Sequence, residues 1–260
     1  MSNPVFFTAS GTIDTQAPGS TFVLEGAEAR HAVTVKRLGV GEAVDIADGA
    51  GRRLSGTVTA AAPGALTVQC RDIAVEPRPE VRLVLVQALA KGDRDELGAE
   101  TATELGIDAV IPWQAECSIV RWKAERAAKA HAKWQSVVTA AAKQARRAWI
   151  PEVRAAVDGP GLQAAVAAAD LAVILHEDAV RPLRQVLEAW AAGTGPEAGS
   201  AGQPREILLI VGPEGGISPR EVTRLCDAGA VTALLGHHVL RSSTAGPAAT
   251  VLASDILGRW

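Results

Sequence analysis

Residues 206–245 read EILLIVGPEGGISPREVTRLCDAGAVTALLGHHVLRSSTA, and the two glycine-punctuated loops in that stretch decide the fold class. The run Ile207 to Val211 is too short and too rich in Ile, Leu and Val for a surface helix, so it predicts a buried strand. It ends in Gly212-Pro213-Glu214-Gly215-Gly216. Ser218, Pro219 and Glu221 then specify a helix start, with a capping serine, a proline suited to the first position and an S-x-x-E box. Gly229 supplies the stop. A second strand, Val231 to Leu235, leads into a loop from Gly236 to Gly246, and Pro247 is expected to open a last apolar helix ending near Ile256. Two strand-loop-helix units in tandem put both loops at the carboxyl ends of neighbouring strands, where open α/β sheets bind ligands.

Upstream, the same alternation reaches back to Val81. Val81 to Ala90 reads as the first strand of a larger domain, with Asp93 and Glu96 as an acidic capping pair for a helix that stops at Gly106. Ala109 to Pro112 is a short strand, and Ala172 to Leu175 another, ending in His176-Glu177-Asp178 ahead of a helix from Pro182 to Ala191. The segment Gly193 to Pro204 has the composition of a surface loop. Between these elements, residues 121–154 carry nine Lys or Arg against two acids. The spacing from Glu125 to Trp149 is helical, with Trp134, Val137 and Val138 on the inner stripe. Such a density points to a polyanionic partner or to a solvated helix face.

Residues 1–75 look mostly β. Thr21 to Leu24, Ala43 to Ala47, Leu54 to Thr59 and Leu66 to Cys70 are separated by turn residues at Asp48-Gly49 and Pro63-Gly64, the pattern of a small barrel. A helical insert over Ala27 to Val35 brings Arg30, His31, Lys36 and Arg37 close together. Glu76-Pro77-Arg78-Pro79 breaks any regular element and marks the domain boundary, giving domains over 1–75 and 76–260.

At 260 residues the chain has room for two domains of about 100 to 200 residues each. A net charge of −3 does not announce a nucleic-acid binder, though it leaves room for a local basic face. Three widely spaced cysteines, Cys70, Cys117 and Cys226, form no C-x-x-C, so neither a disulfide framework nor a zinc knuckle is expected. The amino terminus MSNPVFFTAS lacks a signal-peptide pattern, and no run approaches the roughly 18 apolar residues that span a bilayer. A soluble, cytoplasmic protein without a metal is the expectation.

The loops exclude some chemistries. Gly212 to Gly216 is followed by no Gly-Lys-Ser/Thr, so it lacks the lysine and hydroxyl of a phosphate-binding nucleotide loop, and it is not G-x-G-x-x-G. Its glycines still let backbone approach a bulky ligand, although tight turns use the same residues. Arg241, after Val239-Leu240 and before Ser242-Ser243-Thr244, places one fixed positive charge and three hydroxyls in the second loop, a set suited to an anion. His237 and His238 are neighbours, which rarely direct both rings at one ion, and read as polar loop residues.

In their order along the chain, KGDRDELGAETATELGIDAVIPWQAECSIV, WQSVVTAAAKQARRAWIPEV, LLIVGPEGGISPREV and LLGHHVLRSSTA resemble the RsmE family, SPOUT-class methyltransferases that act on N3 of a uridine in small-subunit (16S) ribosomal RNA. The resemblance covers essentially the whole chain, including RHAVTVKRLGVGE, similar to the family's PUA-like RNA-binding barrel. It implies an α/β fold with a SPOUT-type trefoil-knotted sheet, helices on both faces and an amino-terminal PUA-like β-barrel. It further implies S-adenosylmethionine bound by the knotted loops, and a homodimer. Carried over by position, the cofactor would lie against Leu175, His176, Gly212, Pro213, Gly215, Gly216, Leu235, Gly236, His237, His238, Val239 and Leu240. Arg241, Glu214 and Ser243 would be catalytic, and Arg30, His31, Lys36, Arg37, Lys143, Arg146 and Arg147 would meet 16S RNA. The chain departs from the family wording at Ser243, where a glutamate is common, and at His238, Lys143 and Cys117. Another RNA target, or a non-enzymatic role in ribosome assembly, therefore stands as an alternative.

Overall fold

A computed structural model describes residues 3–193 and 204–260; the surface loop expected over Gly193 to Pro204 falls almost wholly outside them. The chain forms two compact units, residues 1–78 with 142–150, and residues 79–141 with 151–260.

The first unit is built on β1 (Val5–Phe7), β2 (Thr21–Glu25), β3 (Ala43–Ala47), β4 (Arg52–Ala62) and β5 (Ala65–Val75), in the order β1-β3-β4-β5-β2. Only the β1–β3 pairing is parallel. The β4–β5 hairpin turns at Pro63-Gly64, and irregularities at Ser55/Gly56 and Val58/Ala60 curl it, as bulges do. Phe6, Phe22, Leu24, Ile46, Leu54 and Leu66 fill the interior. The expected helical insert is α1 (Gly26–Arg30), which widens into a π-helical turn over His31–Val35.

The helix expected to run to Trp149 ends earlier. It is α3 (Ala124–Gln144), and Arg146 then takes a left-handed φ of 57°. The reason lies in the first unit, where Trp149 bridges to Gly49 and Ala50 and its Nε1 donates to the Glu76 carbonyl at 2.9 Å. The Arg78 guanidinium stacks 4.7 Å from the ring centroid, while Ala142 and Ile150 pack with Val5, Phe7 and Ala47. Packing half-buried Trp149 and Ile150 with buried Ala142 onto the first unit outweighs the modest helix preference of a few residues.

The second unit contains β6 (Val81–Ala88), α2 (Arg94–Glu104), β7 (Ala109–Trp113), most of α3, β8 (Glu152–Val153) and α4 (Gly159–Ala168). It continues with β9 (Leu171–Leu175), α5 (Leu183–Gly193), β10 (Arg205–Val211), α6 (Pro219–Asp227), β11 (Val231–Ala233) and α7 (Ser242–Ile256). All its strand pairings are parallel, in the order β11-β9-β10-β6-β7-β8, so β10 inserts between β9 and the much earlier β6. One face, carrying Val84, Val86, Ile174, Leu208 and Ile210, packs on Leu162 and Val166 of α4 and Leu225 of α6. The opposite face meets α7, with α2 and α5 beside it. Cover on both faces explains why the strands read as continuous apolar runs. Among the described residues, no helix is long and apolar enough to cross a membrane.

The last helix does not open at Pro247. It starts five residues earlier, because the Arg241 carbonyl accepts from Thr244 N at 2.8 Å and Ala245 N at 3.0 Å and closes the first turn there. Pro247 lies inside the helix and has no N–H, so the Ser243 carbonyl lacks its usual intrahelical donor.

Candidate active site

Register brings the two glycine loops to one edge. Leu175 pairs with Ala233, and Ile174 with Ile210, so β11, β9 and β10 end side by side. His176 N donates to Ala233 O at 3.0 Å; Leu183 N donates to Leu234 O, and Leu234 N to Arg181 O, both at 2.8 Å. These bonds tie the loop after β9 to the loop after β11 and fix where Leu235 begins. On the other side Val211, the last residue before Gly212, is in register with Gln87 of β6.

The glycine loop folds tightly against its surroundings. A methyl group on Gly212 would lie 2.6 Å from Ile217 Cγ1, and one on Gly215 3.3 Å from Cys117 Cβ. Gly216 has a φ of 78° and donates its N–H to Pro213 O at 2.9 Å. The capping box after the loop is formed as the sequence specifies: Ser218 Oγ accepts from Glu221 N at 3.1 Å, and Glu221 Oε2 accepts from Ser218 N at 3.3 Å. Ser218 Oγ also donates to Glu116 Oε2 at 2.7 Å, and Glu116 N donates to Glu221 Oε1 at 2.8 Å. The segment after β7 is thereby clamped to α6 beside the glycine loop. Glu214 reaches the opposite way, its Oε1 accepting from Lys91 N and from Arg94 Nη1, each at 3.3 Å.

The residue that organises the 91–96 turn is Asp95, not the expected pair Asp93 and Glu96. Asp93 sits at the helix start in a left-handed conformation with φ 58° and makes no side-chain cap. Asp93 and Glu96 instead face Lys133, at 3.4 and 2.8 Å. Asp95 is buried and accepts from Ala90 N at 3.1 Å and Glu96 N at 2.9 Å. Burial pushes its carboxyl above the ordinary value of 3.8, and the two backbone donors only partly offset that rise. A raised carboxyl contributes its stability fully below 3.8 and loses it as pH rises through the elevated value. At pH 7, Asp95→Asn drops the charge but keeps only one of the two acceptors, so it is expected to cost less than Asp95→Ala. Asp95→Ala leaves two N–H groups unanswered and is expected to cost about 2 kcal/mol, read from thermal melts of both variants.

Gly236, His237, His238, Val239, Leu240 and Arg241 are all exposed. No carboxylate pairs with Arg241 among the described residues, so its charge is available to a ligand. Ser242 is buried, Ser243 half-buried and Thr244 exposed. His176 Nδ1 accepts from Asp178 N at 3.2 Å, which turns that ring toward its own loop. Among the described residues, no three His, Cys, Asp or Glu side chains gather in a way that could hold a metal.

In the first unit, Arg30, Lys36 and Arg37 are exposed, and His31 stacks edge-on to Phe6 at 5.9 Å. Lys143 is committed elsewhere: its Nζ pairs with Glu28 at 2.6 Å and lies 5.4 Å from the Phe6 ring centroid. Arg146 is exposed, and its carbonyl accepts from Arg53 Nη2 at 2.9 Å. Arg147 is half-buried.

Asp95, Glu116 and Gln87 escaped the sequence reading. For Gln87 a signal existed, since it is the one polar side chain in the apolar run 83–90, LVLVQALA. For Asp95 and Glu116 none did, because their partners are backbone groups or lie about a hundred residues away.

Comparison with known proteins follows the two units. A family model described as an RNA methyltransferase domain matches residues 77–254, and one described as an RNA methyltransferase PUA domain matches residues 24–69. A relative named ribosomal RNA small subunit methyltransferase E from Mycobacterium bovis is 40% identical over 248 residues, covering 93% of this chain and 89% of the relative. Its namesake from Bacillus subtilis is 27% identical, covering 86% of each chain. Among solved structures, a ribosomal RNA small subunit methyltransferase E from Neisseria gonorrhoeae bound to S-adenosyl methionine superposes with a TM-score of 0.77 at 24% identity, covering 98% of each chain. A methyltransferase from Legionella pneumophila, in complex with the bound cofactor SAM, gives 0.79 at 25% identity, also covering 98% of each.

Proposed function

The chain belongs to the RNA methyltransferase family, among the ribosomal RNA small subunit methyltransferases E, and from that premise we propose that it methylates N3 of a uridine in 16S ribosomal RNA with S-adenosylmethionine as donor. Its second unit is a SPOUT-type α/β sheet and its first carries a PUA-like RNA-binding barrel. The observation that carries the chemistry is the meeting of three loops, after β9, β10 and β11, at the carboxyl ends of their strands beside Arg241, which is unpaired among the described residues.

The residues at that edge fit the cofactor. Leu175 and Leu235, both half-buried, and exposed Leu240 offer apolar surface, while exposed Gly215 and Gly216 present backbone with no side chain of their own. When bound, S-adenosylmethionine supplies an electrophilic methyl group on a sulfonium sulfur. The chain's own task is to prepare the nucleophile. Uracil N3 attacks after its imide proton passes to solvent, and the charge left on the ring spreads over the two oxygens. Arg241 faces that charge, lowering the cost of forming the anion and of holding it. Ser243 and Thr244 hold the edge of the base. Glu214, already bonded to Lys91 N and Arg94, acts as a latch between the loops after β6 and β10, so its catalytic part is to keep the glycine loop in place.

RNA is gripped through phosphates by Arg30, His31, Lys36 and Arg37 of the barrel and by Arg146 and Arg147, while Lys143 supports that surface through Glu28. Val180 and Val239, 90% and 78% exposed on the loops after β9 and β11, support a homodimer in which a second copy covers them. The cytoplasm, where ribosomes are assembled, is the place of action.

Calorimetric titration with S-adenosylmethionine is expected to show saturable binding. Mass spectrometry of ribosomal RNA from cells lacking the gene is expected to show one 3-methyluridine missing from 16S RNA. Binding without a missing mark in ribosomal RNA points to another RNA, which the serine at 243 allows. Absence of binding leaves only an assembly role.

A further inference from the structure

Gln87 is fully buried at the carboxyl end of the central strand β6, and among the described residues its Oε1 has no hydrogen-bond partner. Its Nε2 donates to the neighbouring Ala88 carbonyl at 3.2 Å. Ser242, 7% exposed at the start of α7, likewise has an unpartnered Oγ. Gln87 and the residue after Ser242 approach one spot. A methyl group on Gly98 of α2 would lie 3.0 Å from Gln87 Oε1 and 3.5 Å from the Cα of Ser243, so only a glycine lets the three elements close on each other there. Buried polar atoms are almost always bonded, and an orphan acceptor together with an orphan hydroxyl one residue from this contact calls for a common explanation.

We propose that Gln87 is a positioning residue for the Arg241 loop: in the cofactor-loaded state its Oε1 accepts a hydrogen bond from the Ser242 hydroxyl, which fixes the first turn of α7 and with it Arg241. The proposal rests on the S-adenosylmethionine reading above. Three features tie the bond to the loaded state. The segment Gly236 to Arg241 leading into α7 is exposed throughout, so a ligand that covers it has room to shift it. Pro247 leaves the Ser243 carbonyl without its helical donor, which loosens the same turn. Gln87 also stands in register with Val211, the last residue before the glycine loop.

The test separates this role from a merely structural one. Gln87→Met keeps the length and volume but has no acceptor, and it removes an unsatisfied buried oxygen. The ligand-free variant is therefore expected to melt within about 2 °C of the parent or above it. Its dissociation constant for S-adenosylmethionine, by calorimetry, is expected to rise about tenfold, the worth of one good hydrogen bond. Ser242→Ala is expected to weaken binding similarly, and the double variant to bind no worse than either single one, as for two halves of one bond. A Gln87→Met protein that fails to fold, or melts well below the parent without ligand, overturns the proposal in favour of a structural role. Equal affinity of variant and parent, or additive losses in the double variant, overturns it as well. A parent chain that takes up no S-adenosylmethionine overturns the cofactor reading itself, and this inference with it.

Discussion

Arg241→Ala is expected to slow methyl transfer to small-subunit ribosomal RNA by about 100- to 1,000-fold, the usual cost of removing one preorganised group that faces developing charge. Binding of S-adenosylmethionine and the melting temperature are expected to stay near those of the parent. The asymmetry follows from how the residue is held. Its backbone carbonyl is engaged by Thr244 N and Ala245 N, bonds that alanine keeps, while its side chain is exposed and unpaired among the described residues. Folding therefore draws nothing measurable from the guanidinium. In the proposed reaction its charge adds to the positive end of the α7 dipole, and both act where uracil loses its imide proton. Arg241→Lys is expected to recover only part of the rate, because an ammonium lacks the planar fork that can span N3 and an adjacent oxygen. Initial rates with labelled S-adenosylmethionine, taken at saturating cofactor, read the effect directly. A rate within tenfold of the parent would show that the anion is stabilised elsewhere.

Local signals were legible in the sequence wherever neighbours in the chain make the structure. The Ser218 box formed with both of its bonds, the Pro63-Gly64 hairpin turned where its residues require, and the apolar runs became parallel strands covered on two faces. What remained hidden depends on distant partners. Trp149 continues a helical pattern, yet Glu76 and Gly49 draw it into the barrel, and no periodicity over 125–149 could announce that. Pro247 is a standard opener, but the serines before it close a turn on Arg241 first. At the site, the tight turn of the glycine loop was readable because glycine carries its chemistry with it. The bonds of Asp95 were not, since a carboxylate is defined by what it meets. The insertion of β10 between β9 and β6 belongs to the same class: no local pattern encodes it, and a knotted path is what sequence rules would exclude. Only the resemblance of ordered motifs pointed to it.

Glu206→Ala is expected to do the reverse of the arginine substitution, lowering stability while sparing the site. Glu206 lies near the start of β10, at the end of the sheet opposite the loops, between two arginines. Arg82 Nη1 approaches its Oε1 at 3.2 Å, and Arg154 grips both its oxygens, with Nη1 to Oε2 at 3.0 Å and Nη2 on Oε1. The three side chains are 14%, 22% and 24% exposed, so deleting the shared carboxylate leaves two poorly solvated guanidiniums with Glu152 alone. Breaking a fully buried pair costs about 3 to 5 kcal/mol; at this partial exposure about 2 kcal/mol is expected, or roughly 4 to 8 °C in the melting of a unit this size. Glu152 shows the same tie from the acid side. Burial alone would raise its carboxyl, but Arg82 and Arg154 outweigh that and hold it below the ordinary value of 4.5. A lowered carboxyl contributes above 4.5 and loses its contribution as pH falls through the depressed value, so melts of the parent are expected to weaken below about pH 4.5. Because these charges stand a full strand length from Gly212, S-adenosylmethionine affinity measured well below the melting temperature is expected to be unchanged in Glu206→Ala. A matching loss of affinity would mean that the strand ends and the loops they carry are coupled through β10.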